Sequence, residues 1–309
     1  MKVFTLCIDG LEAKLVKRWK LKGLMQKDWG IHDVYSIVKS EGKIYTPIIW
    51  GAFLLGRSPL QKGFTYREMF KRRMKAGYGI LYPFYVLRMK LLGGRKLGLR
   101  KYLIKVGLFD LDRIKKQAAE IEKLPDKLRE KTIVEEVKKL GYRVWIKEFP
   151  SFNEDKIAQF RAYMSIYFSE DLQTRLKHLE EVYSLTLSLF EEAVGAFKTN
   201  DLVLFYSPLI DYANHMLYRP KKLKPMFHLA TFYRRMDKMI ERLSKQLNSN
   251  EVILVVSDHG YDPIKHEHSK YGFWSSSVIL ETKPRFITDF KSIILDLLKK
   301  DGNFLLSHK

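Results

Sequence analysis

The sequence has almost no cysteine and no long apolar run, and each of these absences narrows the class of protein. A single cysteine, Cys7, cannot form an intramolecular disulfide, which excludes a disulfide-bonded scaffold. The longest apolar stretches are interrupted by Arg88, Lys90 and Arg95, and none approaches the roughly 20 residues that a membrane-spanning helix needs. No cleavable leader is apparent, because Met1 runs almost directly into a predicted strand. We therefore expect a cytoplasmic protein that is not an integral membrane protein.

The chain alternates between strand and helix patterns. Its 309 residues, 46% of them hydrophobic, can bury the core of one large domain. Strands are predicted near 2–8, 142–148, 201–206, 251–257 and 273–280, and helices near 47–55, 131–140, 170–198, 222–248 and 287–300. This alternation is typical of a mostly parallel sheet covered by helices on both faces. We predict a three-layer α/β/α fold in a single domain over residues 1–309.

Positive charge is concentrated in one part of the chain. The net charge is +21, and Arg57 to Lys147 holds 25 Lys and Arg against 9 Asp and Glu, a local excess of 25 − 9 = +16. Within it, residues 65–126 break the strand and helix rhythm, and we predict that they form a basic insertion or cap. Such charge attracts substrate phosphates, nucleic acid or an acidic lipid surface, although Lys-rich helices are also ordinary solvated faces.

The predicted insertion also contains aromatic residues between its Lys and Arg residues, and these allow two interpretations. The rings could stack on nucleic-acid bases or rest on a membrane, or they could form a small core of the insertion itself. The residues concerned are Tyr78, Tyr82, Phe84, Tyr85 and Tyr102.

Acidic and histidine side chains follow three of the predicted strands. Because the carboxyl ends of parallel strands meet at one edge of a sheet, we expect these side chains to converge. Carboxylates and imidazoles together suit Zn²⁺ or Mn²⁺, and the lack of nearby thiolates favours a catalytic site. An isolated Asp and His pair can equally be a turn residue beside a buried histidine, but three sets favour a metal site. The residues are Asp9; Asp211 and His215; and Asp258 and His259, followed by His266 and His268.

A hydroxyl group stands at the predicted start of a helix. In the segment 44–50, Thr46 occupies the expected N-cap and Pro47 the first helical position. Helix N-termini attract phosphate, so Thr46 is a candidate nucleophile. The alternative is that Thr46 only caps the helix.

Five motifs, in order along nearly the whole chain, resemble the alkaline phosphatase superfamily, most closely its branch of type I phosphodiesterases and nucleotide pyrophosphatases. The fold that this resemblance implies is the alkaline phosphatase-like sandwich predicted above. The motifs are Ile8-Asp9-Gly10; Tyr45-Thr46-Pro47 with Leu55-Gly56-Arg57-Ser58-Pro59; Asp211-x-x-x-His215; Ser257-Asp258-His259-Gly260; and the segment 268–273, which begins at His268.

The resemblance implies a metal-dependent hydrolase that cleaves phosphodiester bonds through a phosphothreonine intermediate on Thr46. It implies two divalent ions, with Zn²⁺ expected and Mn²⁺ as the alternative. The substrate would be an anionic phosphate ester. One ion would be held by Asp211, His215 and His268, with His266 as a competitor for the last place, and the other by Asp9, Asp258 and His259 together with Thr46.

Two departures from the family pattern leave the substrate open. Lys62 replaces a histidine after the nucleophile helix, and Arg67 stands about where nucleotide pyrophosphatases place an asparagine. Arg67 could clamp a phosphate or belong to a solvated basic face with Arg72 and Arg73. One alternative is a phosphomonoesterase or phosphotransferase of the same superfamily acting on a lipid headgroup, sugar or envelope polymer. Another is a basic protein that binds nucleic acid or an anionic membrane through the insertion. The oligomeric state stays open.

Overall fold

A six-stranded sheet organises the chain in the computed structural model, which describes residues 1–61, 63–91 and 100–300. Its strands lie in the order β2-β8-β5-β1-β4-β3, and β6 and β7 form a separate small hairpin. The strand bounds are β1 Lys2–Ile8, β2 Asp28–Asp33, β3 Val144–Lys147, β4 Leu202–Ser207, β5 Glu251–Val256, β6 Tyr261–Asp262, β7 Glu267–His268 and β8 Tyr271–Ser276.

The middle of this sheet is parallel and buried. Strand β1 pairs in parallel with β4 on one side and β5 on the other, and β3 extends the parallel array beyond β4. These central strands are nearly continuous apolar runs because helices cover both of their faces. At the opposite edge, β8 and then β2 are antiparallel to their neighbours. The carboxyl ends of β4, β1 and β5 therefore lie side by side.

Helices flank the sheet on both sides. One layer contains α12, α13 and α14 with the short α2, and the other contains α4, α10 and α15. The helix bounds are α1 Ala13–Arg18, α2 Lys22–Met25, α3 Tyr35–Val38, α4 Thr46–Leu55, α5 Tyr66–Tyr78, α6 Tyr82–Leu91, α7 Arg100–Lys105, α8 Leu111–Glu122, α9 Asp126–Arg129, α10 Ile133–Lys139, α11 Lys156–Tyr163, α12 Leu172–Phe197, α13 Leu209–Leu217, α14 Leu223–Ser244 and α15 Phe290–Lys299, with short 3₁₀ segments at Gly79–Leu81, Met164–Ser169 and Ile287–Asp289.

The predicted three-layer α/β/α architecture with a mostly parallel sheet is confirmed. The predicted strand near 273–280 begins and ends earlier, at β8. Strand β2 was not predicted, because Asp28, Gly30 and Asp33 interrupt its apolar pattern. Helix α4 begins at Thr46, so Tyr45 is its N-cap and the prediction of Thr46 as the cap was wrong by one position. The described helices are all too short or too polar to traverse a lipid bilayer.

Residues 65–126, predicted as an insertion, contribute helices α5 to α8 outside the sheet in their described part. Helix α8 packs against α5 within this segment and against α11. The rings of Tyr78 and Tyr85 stack with their centroids 4.5 Å apart, while Phe84 and Tyr102 are exposed. The aromatic residues therefore divide between a small core and the surface. The assignment of this segment as an insertion in one domain stays a prediction.

Cys7 lies near the end of β1, in the centre of the sheet. It pairs across to Tyr206 on one side and Val256 on the other and is fully buried. Burial, together with the nearby charge of Asp258, raises the pKa of its thiol well above the usual value.

Candidate metal centre at the strand ends

Three central strands deliver acidic side chains to one point. Asp9 directly follows β1, Asp211 lies in the first turn of α13 after β4, and Asp258 follows β5. All three carboxyl groups are almost completely buried. Because α13 starts immediately after β4, Asp211 and His215, four residues apart, project from the same face of the helix. The hairpin of β6 and β7 adds His268 from the other direction.

Asp211, His215 and His268 form a first compact group of ligand atoms. The Nε2 atoms of His215 and His268 are 3.1 Å apart, and they lie 3.4 and 3.7 Å from Oδ1 of Asp211. With metal–ligand bonds of 2.0–2.2 Å, donor atoms around a tetrahedral zinc ion are separated by about 3.3 Å. The three donor atoms therefore have the spacing that a zinc ion requires.

A second group is centred on His259. Its Nε2 lies 3.2 Å from Oδ1 of Asp9 and 3.3 Å from Oδ2 of Asp258. The ligand atoms of Asp9, His259 and Asp211 also lie within 4.8 Å of one another. Asp211 is thus shared by both groups, whereas the sequence assigned it to the first group alone.

Buried polar atoms without hydrogen-bond partners mark this centre. In the described part of the chain, Oδ1 of Asp9, Oδ1 of Asp211, Oδ2 of Asp258 and Nε2 of His259 make no hydrogen bond. Buried polar atoms in folded proteins are normally paired, and such atoms indicate either strain or a missing ion. Carboxylate oxygens and imidazole nitrogens that face one another fit a divalent cation.

The pKa values of the cluster reflect the crowding of negative charge. Burial, and then the neighbouring Asp9, raise the pKa of Asp211 to about 8. Burial lowers the pKa of His259, but the carboxylates of Asp258 and Asp9 outweigh it and raise that pKa to about 10. Burial lowers the pKa of His215 to about 3, so its imidazole is neutral and able to coordinate. The protons held by Asp211 and His259 therefore neutralise part of the negative charge of the cluster. A bound cation would neutralise that charge in their place.

Backbone and side-chain contacts hold the ligands in place. The hydroxyl of Tyr206 donates to Oδ2 of Asp9 at 2.6 Å, which leaves Oδ1 directed into the centre. Nδ1 of His259 lies 3.0 Å from the carbonyl oxygen of Gly260, and donation to that oxygen leaves Nε2 facing the carboxylates. The amide of Asn214 donates to the carbonyl of Gly10 at 2.6 Å and ties α13 to the end of β1. The sequence reading missed Tyr206 and Asn214.

Thr46 lies beside these ligands. It is the first residue of α4, is buried, and lines the same cavity of about 460 Å³ as Asp9, Asp211, His215 and His268. The cavity extends from the centre toward the predicted insertion. Its far wall is largely apolar and is formed by Phe70, Met74, Ile104, Phe109, Leu111 and Ile114.

A buried ionic network connects the predicted insertion to the rest of the protein. Glu122 of α8 accepts hydrogen bonds from Arg73 of α5, Arg161 of α11 and the hydroxyl of Tyr45. Arg161 also pairs with Glu154 at 2.6 Å. Burial raises the pKa of Glu122, but the two arginines outweigh it and lower that pKa, so the group is ionised. Both arginines line the cavity, whereas Glu122 and Glu154 do not.

The remaining predicted residues lie away from the cavity. Arg67 is exposed on α5 and does not line the cavity, whereas Arg73 of the same helix does. His266 has a φ of 55° in the turn between β6 and β7 and contributes to neither ligand group. The sequence reading missed Arg161, Glu122 and Tyr45, although Tyr45 directly precedes the predicted nucleophile.

Buried carboxylates and imidazoles at the strand ends are a ligand set suited to metal-assisted hydrolysis, and comparison with known families agrees. The model of the type I phosphodiesterase / nucleotide pyrophosphatase family matches residues 106–298, more than half of the chain. The chain therefore belongs to the type I phosphodiesterase and nucleotide pyrophosphatase family, within the alkaline phosphatase superfamily.

Two further comparisons were made. No curated protein matches the sequence. Among solved structures, the chain is similar to that of the PH0037 protein from Pyrococcus horikoshii, with 14% identity and a TM-score of 0.42 over 96% of this chain and 97% of that one. Family membership identifies the chain as a phosphoric ester hydrolase of a metal-dependent family that acts on phosphate esters.

Proposed function

We propose that the protein is a phosphodiesterase that uses Thr46 as its nucleophile and two divalent cations as cofactors. The observation that carries this proposal is the convergence of six buried or partly buried ligands, four of which line the same cavity as the hydroxyl of Thr46. The ligands are Asp9, Asp211, His215, Asp258, His259 and His268.

The two ligand groups assign the residues that hold each cation. In this proposal Asp211, His215 and His268 hold one cation, and Asp9, Asp258 and His259 hold the other together with the oxygen of Thr46. The first set coincides with one group of ligand atoms, and Asp9 and His259 belong to the other. Zn²⁺ is the cation we expect, since its preferred ligands are carboxylate oxygens and imidazole nitrogens, and Mn²⁺ is the alternative. When bound, the cations lower the pKa of a hydroxyl group or water molecule and neutralise charge on the phosphoryl oxygens and the leaving group.

Catalysis proceeds in two displacements on phosphorus. The Oγ1 of Thr46 loses its proton and forms a bond to phosphorus, while the bond from phosphorus to the leaving oxygen breaks and the alcohol departs. Water then attacks the phosphothreonine, the bond between phosphorus and Oγ1 breaks, and the hydroxyl of Thr46 is restored. Through this cycle Tyr206 keeps Asp9 oriented by its hydrogen bond of 2.6 Å.

The cavity wall supports a diester as the substrate. Arg73 and Arg161 present cationic side chains to the cavity, and the exposed Lys43 also lines it. Beyond them, the described part of the wall is lined by apolar residues of α5 and α8, among them Met74 and Ile114. In a bound phosphate ester, the phosphate would contact the cationic residues and an aromatic or aliphatic substituent would contact the apolar wall. A diester carries a second substituent that stays on phosphorus after the leaving group departs, and this apolar wall offers it a surface that a monoester would leave unused.

The test is turnover of an aryl phosphodiester and of the corresponding monoester with Zn²⁺ or Mn²⁺. Thr46→Ala is expected to lower kcat by about 10³-fold or more, since it removes the nucleophile, while Thr46→Ser keeps a hydroxyl and retains measurable activity. Metal content of all three proteins, measured by mass spectrometry, controls for loss of the ions. Undiminished turnover by Thr46→Ala contradicts the assigned nucleophile, and faster monoester than diester turnover contradicts the assigned substrate.

A further inference from the structure

An exposed apolar stripe runs along the outer face of α6. Phe84, Leu87 and Leu91 are spaced by three and four residues, which places them on one face of the helix, and Ile80 precedes them by one turn. Their exposed fractions are 70%, 55% and 76%, and that of Ile80 is 92%. Tyr102 of α7 and Val106 just after it are exposed as well. Large contiguous exposed apolar surfaces on soluble proteins mark sites of interaction.

The inner face of the same helix is anchored, so the orientation of the stripe is fixed. Tyr82 and Tyr85 are partly buried and pack against the hydrophobic core. Tyr85 stacks on Tyr78, which in turn meets Phe109 edge to face at 4.9 Å. The stripe is therefore turned outward by packing.

The stretch of sequence that contains the stripe carries only positive charge. Residues 69–109 contain eleven Lys and Arg and no Asp or Glu. Lys75, Lys90 and Lys105 are exposed in the helices that carry or flank the stripe. An apolar face flanked by exposed lysines is complementary to a lipid surface, which offers acyl chains below a layer of anionic headgroups.

We propose that this face docks on an anionic lipid bilayer, with Phe84, Leu87 and Leu91 entering the boundary between headgroups and acyl chains. Most side chains of the stripe are aliphatic, and these gain little from stacking on nucleic-acid bases but gain free energy from contact with acyl chains. A second copy of the chain would bring the same cationic border against itself, which costs electrostatic free energy. The lipid surface is therefore the partner that satisfies both features.

The test is sedimentation of the full-length protein with vesicles of phosphatidylcholine alone and of phosphatidylcholine mixed with phosphatidylserine. The test variant replaces Phe84, Leu87 and Leu91 together by serine. The control variant replaces Ile31 and Ile279 by serine, since these residues are 54% and 65% exposed but have the acidic residues Asp28, Asp33 and Glu281 near them in sequence. Thermal unfolding and turnover of a soluble aryl phosphodiester establish that each variant is folded, and neither set of residues lines the cavity.

The protein is expected to bind the mixed vesicles and to bind pure phosphatidylcholine at least about tenfold more weakly, because the cationic border then lacks its partner. The stripe variant is expected to bind the mixed vesicles about tenfold more weakly than the unaltered protein, and the control variant within about twofold of it. Equal binding by the stripe variant overturns the proposal.

Two further measurements separate the other partners. If the protein binds single-stranded oligonucleotides but not the mixed vesicles, the face is a nucleic-acid surface and the proposal is wrong. If the protein is a dimer in light scattering and the stripe variant is a monomer, the face is a contact between copies and the proposal is also wrong. Either result leaves the assignment of Thr46 untouched, because turnover of the soluble substrate is measured separately.

Discussion

Gly10 allows the end of β1 to approach α13 closely enough to form the metal centre, and replacing it by alanine tests that closeness. Its φ is +69°, in the left-handed region that favours glycine. A Cβ atom at this position would lie 2.7 Å from both Cα and Cβ of Asp211 and 2.9 Å from its Oδ1. The amide of Gly10 also donates to Oδ1 of Asp258 at 3.2 Å. An added methyl group must therefore displace one ligand directly and loosen the contact to another.

The free-energy cost can be worked out in two parts. A non-glycine residue in the left-handed region costs about 1 kcal/mol, and the forced shift of packed backbone costs about 1–3 kcal/mol more. We expect Gly10→Ala to lower the free energy of unfolding by about 2–4 kcal/mol. The matched control is Gly141→Ala. Gly141 has a φ of +88° but open space around its Cβ position, so only the backbone part applies.

Urea unfolding of both variants measures the two parts, and metal content and diester turnover measure the effect on the centre. Gly10→Ala is expected to retain less metal and to lose activity, because Asp211 belongs to both ligand groups. Gly141→Ala is expected to retain both. The reasoning is refuted if the two variants are destabilised equally and Gly10→Ala keeps its metal and its turnover.

Two further predictions concern buried charge. Chelator-treated protein is expected to lose about 3 kcal/mol of stability between about pH 7 and about pH 9 in urea unfolding. The pKa values of Asp211 and His259 are raised to about 8 and about 10, so the folded state binds more protons than the unfolded chain and stability falls as pH rises. Zinc-loaded protein should show little of this fall. An equal fall in the zinc-loaded protein contradicts the prediction. Glu122→Gln is expected to cost about 3–5 kcal/mol because Arg73 loses its ion-pair partner and the buried Arg161 keeps only Glu154, whereas Glu120→Gln, on the exposed face of α8, should change stability by less than about 0.5 kcal/mol in thermal unfolding.

The sequence predicted the parts of the fold whose signals are local. The apolar runs before Asp9, Asp211 and Asp258 identify buried strands, and the rule that parallel strands end at one edge of a sheet brings their acidic residues together. Strand β2 escaped prediction because its hydrogen bonds to β8 depend on a partner more than 230 residues away in sequence, and its own pattern is polar. Helix α4 begins one residue earlier than predicted, a difference that is usual at helix ends.

The supporting residues of the centre could not be predicted, because their roles exist only across long separations in sequence. Tyr206 reaches Asp9 from the neighbouring strand, and nothing in the apolar run of β4 distinguishes a tyrosine that orients a ligand from one that fills the core. The ionic network around Glu122 joins three helices whose sequences each read as ordinary charged surfaces. Arg73 and Arg161, which line the cavity, were therefore overlooked in favour of the exposed Arg67.

The burial of Cys7 in the central strand makes this thiol a built-in reporter of cooperative opening. A labelling reagent can reach it only when β1 separates from a neighbouring strand or the covering helices detach, so its rate of modification measures the population of broadly opened molecules. Asp9 lies two residues further along the chain, directly after β1. If zinc stabilises the closed sheet, Cys7 is alkylated more slowly when zinc is bound. The decrease in rate then reports the affinity for zinc at a residue that does not contact the ion.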